Sequence, residues 1–426
     1  MYRYIALLFI HCTILLTAIA QSTAPLPYDD YMTTGSGLRN FYAVLSQKQV
    51  TVAFLGGSIT NMQGWRNKVD SFLRQSYPTT QFRFINAGIP SLGSLPHVFR
   101  LQRDVLDPGK IDLLFLEAAV NDRTNGTDSA IQVRTLEGIV RHARKSNPSM
   151  DIVLMAFADP DKTADYNNHR IPAEVANHAL VARHYNLPFI NLAKEVHDRM
   201  AHGEFSWEKD FKDLHPSPFG QQLYFASIRA LLQHCATKLA MVHALNVHPY
   251  PLPKALNKQA LENGQYYDIA NAQYEGNWTL NPDWTPTDSL HTRPGFVHRP
   301  ILVATTPGAT LILPFKGTAI GMAIVSGKDA GIVAYAIDNG PFQEIDLYTQ
   351  WSKSLHLPWY ILFSSDLKKG KHTLQLKIQE VKNSKSTGNA CRIVYFLVND
   401  LSHPLLRAPG LQHTMDYNHT AGYCNS

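Results

Sequence analysis

The chain has 426 residues, of which 45% are hydrophobic and 17% are charged. This length exceeds one ordinary domain and the composition supports packed cores, so we predict two globular domains. The formal net charge is only +5, and the densest basic cluster, residues 368–372, lies where we predict a solvated hairpin turn. Nucleic-acid binding requires a basic face with interleaved aromatic residues, so no nucleic-acid partner is predicted.

The N-terminus has the pattern of a secretory signal peptide. Arg3 precedes an apolar stretch at residues 4–19 that ends in small residues. These features are typical of such signals, and we predict a signal at residues 1–20, with cleavage after Ala20 and a secreted or periplasmic mature protein. The apolar stretch is short for a membrane span of about 20 residues, so no stable membrane insertion is predicted after cleavage.

The mature chain would keep an odd number of cysteines, Cys235, Cys391 and Cys424. At most one disulfide can form within the chain, so the fold is not built on disulfides, and the pairing stays open. Cys235 lies in a helical pattern and is predicted to be a small buried side chain. Spacings typical of structural zinc sites do not occur, and no metal is predicted.

Residues 21–240 are predicted to form one α/β domain. Five short apolar runs suit strands buried on both faces; they lie at residues 50–55, 82–85, 113–116, 152–157 and 189–192. Between them, apolar residues recur at helical spacing, for example at 131–140, 174–185 and 219–239. This alternation predicts a doubly wound parallel sheet with helices on both faces. Such sheets bind ligands beyond the carboxyl ends of their strands.

The remainder of the chain has a different pattern. Residues 241–298 are rich in proline but also contain Tyr266, Tyr267, Trp278 and Trp284, which predicts an ordered connector. From 299 to about 408, short strands alternate with turn glycines, as in a β-sandwich. The predicted strands lie at residues 301–304, 310–313, 319–325, 331–337, 374–378 and 392–398. Residues 409–426 are predicted to be a tail.

Four polar or small residues follow strands of the predicted α/β sheet or precede its last helix. Ser58 follows two glycines after the first strand, Gly88 follows the second, and Asn121 follows the third together with Asp122. His215 lies just before the last helix. Each feature alone also suits an ordinary turn or helix cap, and Asp122 is predicted to support its loop. A histidine is nevertheless the side chain best suited to take a serine proton near neutral pH.

In this order the four features resemble the four sequence blocks of the SGNH (GDSL-like) hydrolase family, over about residues 49–240. The resemblance implies a flavodoxin-like three-layer fold, with Ser58 as nucleophile and His215 as general base. It also implies an oxyanion hole formed by the N–H groups of Ser58 and Gly88 and the side-chain amide of Asn121. It implies no metal and no organic cofactor.

Two positions depart from the family pattern. Gly57 stands where the signature has aspartate, and Lys212 stands where the usual catalytic aspartate precedes the histidine by three residues. Asp213 is one residue closer to the histidine and is our prediction for the third triad member. Asp210 is too far by two residues. A Ser–His dyad oriented by a main-chain carbonyl stays open.

The resemblance implies a serine esterase acting through an acyl-enzyme, but it does not name the ester. The predicted export, the lack of a long apolar lid, and a C-terminal part that resembles the jelly-roll modules of some carbohydrate esterases favour an acylated glycan. We therefore predict removal of O-acyl groups, O-acetyl above all, from a polysaccharide or oligosaccharide. An acyltransferase or lipid acylhydrolase using the same site, or a catalytically silent glycan-binding protein, are the alternatives. The sugar and the oligomeric state are not predicted.

Two tryptophans of the predicted sandwich, Trp351 and Trp359, could stack on sugar rings, although buried core positions are commoner for aromatic residues. We expect the sandwich domain to contribute to binding of the polysaccharide rather than to hydrolysis of the ester.

Overall fold

The computed structural model describes residues 24–47, 49–242 and 245–400. The predicted signal at residues 1–20 and the predicted tail at residues 409–426, which contains Cys424, lie outside these residues. The strands are β1 Met32–Thr33, β2 Gln49–Gly56, β3 Gln81–Gly88, β4 Leu113–Glu117, β5 Asp151–Met155, β6 Phe189–Ile190, β7 Gly264–Tyr267, β8 Gln273–Glu275, β9 Thr279–Asn281, β10 His291–Thr292, β11 Ile301–Ala304, β12 Thr310–Gly317, β13 Ile320–Ser326, β14 Ile332–Ile337, β15 Gln343–Asp346, β16 Leu355–Ser364, β17 Gly370–Ile378 and β18 Cys391–Asn399.

The helices are α1 Arg39–Val44, α2 Ser58–Asn61, α3 Trp65–Ser76, α4 Ser94–Leu101, α5 Ala119–Thr124, α6 Ser129–Ser146, α7 Pro160–Asn167, α8 Ala173–His184, α9 Leu192–Ala201 and α10 Pro218–Leu239. Short 3₁₀ turns lie at Tyr28–Tyr31 and Ile269–Asn271, and π turns at Gln102–Leu106 and Trp207–Phe211.

The first domain contains a six-stranded sheet in the order β1-β6-β5-β4-β2-β3. Strands β2 to β6 are parallel, and the short β1 joins antiparallel to β6. The parallel strands have the flavodoxin order, which confirms the predicted fold class. All five predicted runs form strands, because continuous apolar side chains need burial on both faces. The last run forms a strand over only two residues, since α9 begins directly after it.

Helices cover both faces of this sheet. On one side α6 packs against α4 and α8, and on the other α10 packs against α3 and α1. The sequence accounts for where α6 and α10 begin. Asp128 caps the N-terminus of α6 by accepting from the N–H groups of Ala130 (2.8 Å) and Ile131 (3.3 Å). Helix α10 begins with a proline, which suits the first helical turn.

The second domain is a sandwich of two sheets. One sheet has the order β10-β16-β13-β18-β11-β9 with β7 also on β18, and the other has the order β15-β14-β17-β12-β8. The four short strands β7 to β10 come from the segment predicted as a connector. In the structure this segment is therefore an integral part of both sheets.

Two further differences concern β15 and β16, which the sequence analysis did not predict. Pro358 lies within β16, opposite Val325 of β13, and proline within an apolar run argues against a strand. Strands β16 and β17 belong to different sheets, so residues 365–369 connect the two sheets and residues 370–372 of the basic cluster begin β17. The predicted hairpin turn there is wrong.

The two domains share a continuous core. Strand β7 pairs with β18 of the sandwich and also packs on α4 of the first domain. The guanidinium of Arg103 lies over the rings of Tyr266 (4.7 Å) and Tyr395 (5.1 Å) and donates to the Tyr395 hydroxyl (2.7 Å). The core of the first domain extends without a break to Trp284 and Phe296.

Cys235 in α10 and Cys391 in β18 are both buried and form no disulfide. The burial of Cys235 confirms the prediction of a small buried side chain. Burial also raises the pKa of its thiol to about 12, which keeps the thiol protonated. Among the residues that the structure describes, no helix is long and apolar enough to cross a membrane.

Candidate active site

Ser58 lies at the carboxyl edge of the parallel sheet, as predicted. Strand β2 ends at Gly56, and Ser58 is the first residue of the short helix α2. The N–H groups of a first helical turn have no acceptor within the helix, so the Ser58 N–H points away from its own helix. The side chain is half-buried.

His215 reaches Ser58 from the loop before α10. Its Nε2 lies 2.8 Å from Ser58 Oγ, which is hydrogen-bond distance for a nucleophile and its base. The loop is held by Ser217, which caps α10 by accepting from the N–H of Phe219 (3.1 Å) and donates its own main-chain N–H to the carbonyl of Phe211 (3.0 Å). The structure thus brings the residues predicted as nucleophile and base within hydrogen-bond distance of each other.

Opposing effects set the pKa of His215, which lies below its ordinary value. Burial is the largest cause, and the positive charge of Arg293 adds to it, whereas the Asp213 carboxylate opposes both. The imidazole is therefore neutral, and able to accept a proton, at lower pH than a free histidine.

Neither predicted aspartate hydrogen-bonds to the His215 ring. Asp213 Oδ1 accepts from the main-chain N–H of His215 at 3.4 Å, and Asp210 Oδ2 accepts from the N–H of Ser206 at 2.9 Å. Lys212, at the position usual for the aspartate, has a positive φ of 77°, a conformation that non-glycine residues rarely adopt. Asp213 thus acts on the ring through its charge and through the loop.

Asn121, in α5, lies against the nucleophile's neighbour. A Cβ built on Gly57 would lie 2.0 Å from Asn121 Oδ1, far inside contact distance. With the Asn121 side chain in this position, any residue larger than glycine at position 57 would require the amide to move. Sequence analysis noted the substitution without this consequence.

Gly88 lies at the end of β3, beside α2, but its N–H donates to Asn86 Oδ1 at 3.0 Å. In this structure that N–H is not free to bind an oxyanion. A Cβ on Gly88 would lie 2.5 Å from the main-chain nitrogen of Asn61, so the glycine permits close packing of β3 on α2.

Arg100, which the sequence analysis missed, fixes the two strand ends beneath the site. Its fully buried guanidinium donates to the carbonyls of Gly56 (3.4 Å) and Ala87 and pairs with Asp104 at 2.7 Å. The sequence could have indicated this role, because Arg100 lies among the apolar residues of α4 and an unpaired buried charge would be costly.

A second group that was missed joins the two domains beside the nucleophile. Ser91, in the loop after β3, has a positive φ of 72°. Its carbonyl accepts from Asn125 Nδ2 (3.0 Å), and its hydroxyl accepts from Nε of Arg293 (3.2 Å). The carbonyl of the next residue, Leu92, lies 3.4 Å from the Cβ position on Gly57. Strained backbone of this kind often occurs at functional sites.

Two buried carboxyl side chains, Glu117 and Asp122, lie on either side of Asn121 in the chain. Burial raises the pKa of Glu117 to about 7 and, likewise, that of Asp122 to about 7. Asp122 Oδ1 accepts from the N–H (2.8 Å) and the hydroxyl (2.9 Å) of Ser94. Asp122 thus ties α5 to the start of α4, in line with its predicted supporting role.

Within the described ranges, no cluster of three or more His, Cys, Asp or Glu side chains could hold a metal ion. Of the two tryptophans considered for sugar stacking, Trp351 is 41% exposed on a sandwich loop, and Trp359 is half-buried in β16.

Comparison with known proteins agrees with this geometry. Residues 54–223, which contain Ser58, Gly88, Asn121 and His215, match the GDSL-like lipase/acylhydrolase family. No curated protein matches the chain by sequence.

Two similar solved structures are of a two-domain esterase, CEX, active on acetylated mannans. One, co-crystallized with mannopentaose, is 20% identical, with a TM-score of 0.68 over 88% of this chain and 99% of the other. The second is 21% identical, with a TM-score of 0.68 over 87% and 98%. At this identity the likeness shows that the two chains share a two-domain fold. With the family match, it confirms the predicted resemblance: the chain carries a GDSL-like lipase/acylhydrolase domain, joined to an all-β domain.

Proposed function

We propose that this protein is a secreted serine esterase that removes O-acetyl groups from a glycan. The observation that carries the proposal is the 2.8 Å contact between Ser58 Oγ and His215 Nε2 at the carboxyl edge of the sheet. The Asn121 amide lies beside it. The family match supports ester chemistry, and the signal pattern at residues 1–20 supports secretion.

In the proposed reaction His215 takes the Ser58 proton while Oγ attacks the ester carbonyl. The negative charge on the carbonyl oxygen is stabilised by the Ser58 N–H and the Asn121 amide. Because the Gly88 N–H is bonded to Asn86, we assign Gly88 to packing. The bond between the acyl carbon and the sugar oxygen then breaks, and the His215 imidazolium gives its proton to that oxygen, so that the sugar leaves with a free hydroxyl. Water, deprotonated by His215, then attacks the acyl-enzyme and releases acetate, and the proton returns to Ser58 Oγ.

The proposed acid partner is Asp213, acting through its charge. Its carboxylate raises the pKa of His215, so it stabilises the imidazolium that forms in each half-reaction. Its bond to the His215 main chain also holds the loop. In this proposal Ser58 and His215 form a catalytic dyad. The Asp213 charge stabilises the imidazolium of His215, without a hydrogen bond between the Asp213 carboxylate and the imidazole ring.

The proposed substrate class rests on the fold shared with the esterase active on acetylated mannans. A sandwich domain beside the site offers a glycan more surface than the catalytic domain alone, and Trp351 is exposed on it.

The test is acetate release from acetylated mannan, acetylated xylan and a small acetyl ester, with Ser58→Ala beside wild type. The exposed Ser71→Ala in α3 is the matched control. We expect wild type and the control to release acetate from a glycan and to be labelled at Ser58 by a fluorophosphonate. Preference for long-chain esters would favour a lipid acylhydrolase, and turnover that requires an acceptor sugar would favour an acyltransferase. Glycan binding without labelling or turnover would favour the silent binding protein.

A further inference from the structure

The second domain places a charged side chain beside the nucleophile. Arg293 follows β10 of the sandwich, yet its Nε donates to Ser91 Oγ at 3.2 Å in the loop after β3. Its charge is close enough to His215 to lower the pKa of that ring. Arg293 is thus a part of the sandwich domain that lies in the site of the α/β domain.

The main chain around Arg293 is firmly held. On one side β10 pairs with β16, with His291 opposite Leu355. On the other side the carbonyl of Arg293 accepts from the N–H of Phe296 at 3.3 Å, and the Phe296 ring is 1% exposed in the shared core. A side chain anchored at both ends is presented in a defined place, which a binding group requires.

The guanidinium is half-buried without a compensating acid. Partly buried arginines such as Arg123 and Arg141 have carboxylates that raise the pKa. Burial lowers the pKa of Arg66 and Arg144, but an aspartate opposes this effect in each. Burial also lowers the pKa of Arg293, and there no carboxylate opposes it. Among the described residues Arg293 forms no salt bridge and only the Nε–H has a bonded acceptor. A guanidinium carries five N–H donors, so the four on its two Nη atoms have no bonded acceptor among the described residues.

We propose that Arg293 is a specificity-determining residue that binds the sugar carrying the ester through two oxygens of that sugar. The inference rests on the proposed function, because it assigns to the same site the part that recognises the glycan. The planar fork of arginine suits two neighbouring oxygen acceptors, and vicinal hydroxyls of a pyranose offer such a pair. The acyl group stays with Ser58 and His215. The sandwich domain is then a component of the active site.

The first test measures binding without turnover. In a Ser58→Ala background, the affinity for acetylated manno-oligosaccharides is measured by calorimetry with and without Arg293→Ala. Loss of hydrogen bonds from a charged donor should weaken binding about 10- to 100-fold. Arg293→Lys should restore part of the loss, since it keeps the charge but not the fork. Arg74→Ala, an exposed arginine in α3, is the matched control and should bind as the parent does.

The second test uses Ser58-containing enzyme and compares two substrates. At a pH above the acid limb, where His215 is neutral in both proteins, Arg293→Ala should lower kcat/KM about 10- to 100-fold on the acetylated oligosaccharide and less than about threefold on 4-nitrophenyl acetate, because the small ester has no sugar to bind. Equal losses on both substrates, with a lower melting temperature, would show a structural role and overturn the inference. Unchanged affinity in the Ser58→Ala background would also overturn it. If wild type hydrolysed no ester but lost glycan affinity on Arg293→Ala, the inference would stand while the proposed function failed.

Discussion

Gly57 shows how one residue of the site depends on its neighbour. A Cβ on Gly57 would lie 2.0 Å from Asn121 Oδ1, so a methyl group fits there only if the Asn121 amide shifts. Gly57→Ala should push the amide away and lower kcat about 10²–10³-fold with KM nearly unchanged, as for the loss of an oxyanion donor. The measurement is steady-state kinetics on a small acetyl ester.

Gly370→Ala is the matched control, since a Cβ there meets no atom closer than 3.8 Å. The double variant Gly57→Ala with Asn121→Ala should be no slower than Asn121→Ala alone, because both remove the same donor. Additive losses would mean that Gly57 acts independently of the amide.

The pH dependence tests the charges around His215. The base must be neutral, so activity rises as pH passes upward through its pKa, which lies below the ordinary 6.5. Arg293→Gln removes a charge that lowers this pKa, and should shift the acid limb of kcat/KM to higher pH. Asp213→Asn removes a charge that raises it, and should shift the limb to lower pH while reducing kcat. Shifts in the same direction would contradict this electrostatic assignment.

At the scale of elements, apolar pattern predicted the parallel sheet because strands buried on both faces must be apolar throughout. It also placed Ser58 at the edge of the sheet, directly after a strand, whereas the pairing of Ser58 with His215, which precedes α10, was implied by the family resemblance. Arg293 could not be predicted in this way, because it depends on where the sandwich folds back. Strand β16 was missed because Pro358 obscures its pattern. The pairing of β7 depends on a distant part of the chain, since Tyr266 of β7 lies opposite Leu397 of β18, 131 residues further along.

The β4–α5 element predicts a pH-dependent stability. Burial raises the pKa of Glu117 from 4.5 to about 7, so in the window between these values the folded state binds a proton that the unfolded state has released. Its contribution to the free energy of unfolding is present below about pH 4.5 and is lost as pH rises through about 7. Glu117→Gln should reduce the loss of melting temperature between pH 5 and pH 8. An unchanged difference would show that the carboxyl does not titrate in this range.

For the whole molecule, the sequence suggested two parts joined by a connector, and the structure shows a shared core. Strand β7 lies on both α4 and β18, and a Cβ on Gly138 of α6 would lie 2.8 Å from the main chain of Leu261. A fragment of residues 21–240 would expose this apolar interface, and no polar surface would replace it.

We therefore expect that fragment to be insoluble or to bind a hydrophobic dye, and to lack activity even on a small ester. The same fragment co-expressed with residues 245–400 should regain solubility and turnover, because the interface is formed by complementary surfaces such as the Arg103 side chain against the rings of Tyr266 and Tyr395. Solubility, dye binding and 4-nitrophenyl acetate hydrolysis are measured for both preparations. A soluble, active 21–240 fragment would mean that the α/β domain folds alone. In that case the sandwich would contribute Arg293 to recognition but nothing to the stability of the catalytic pair.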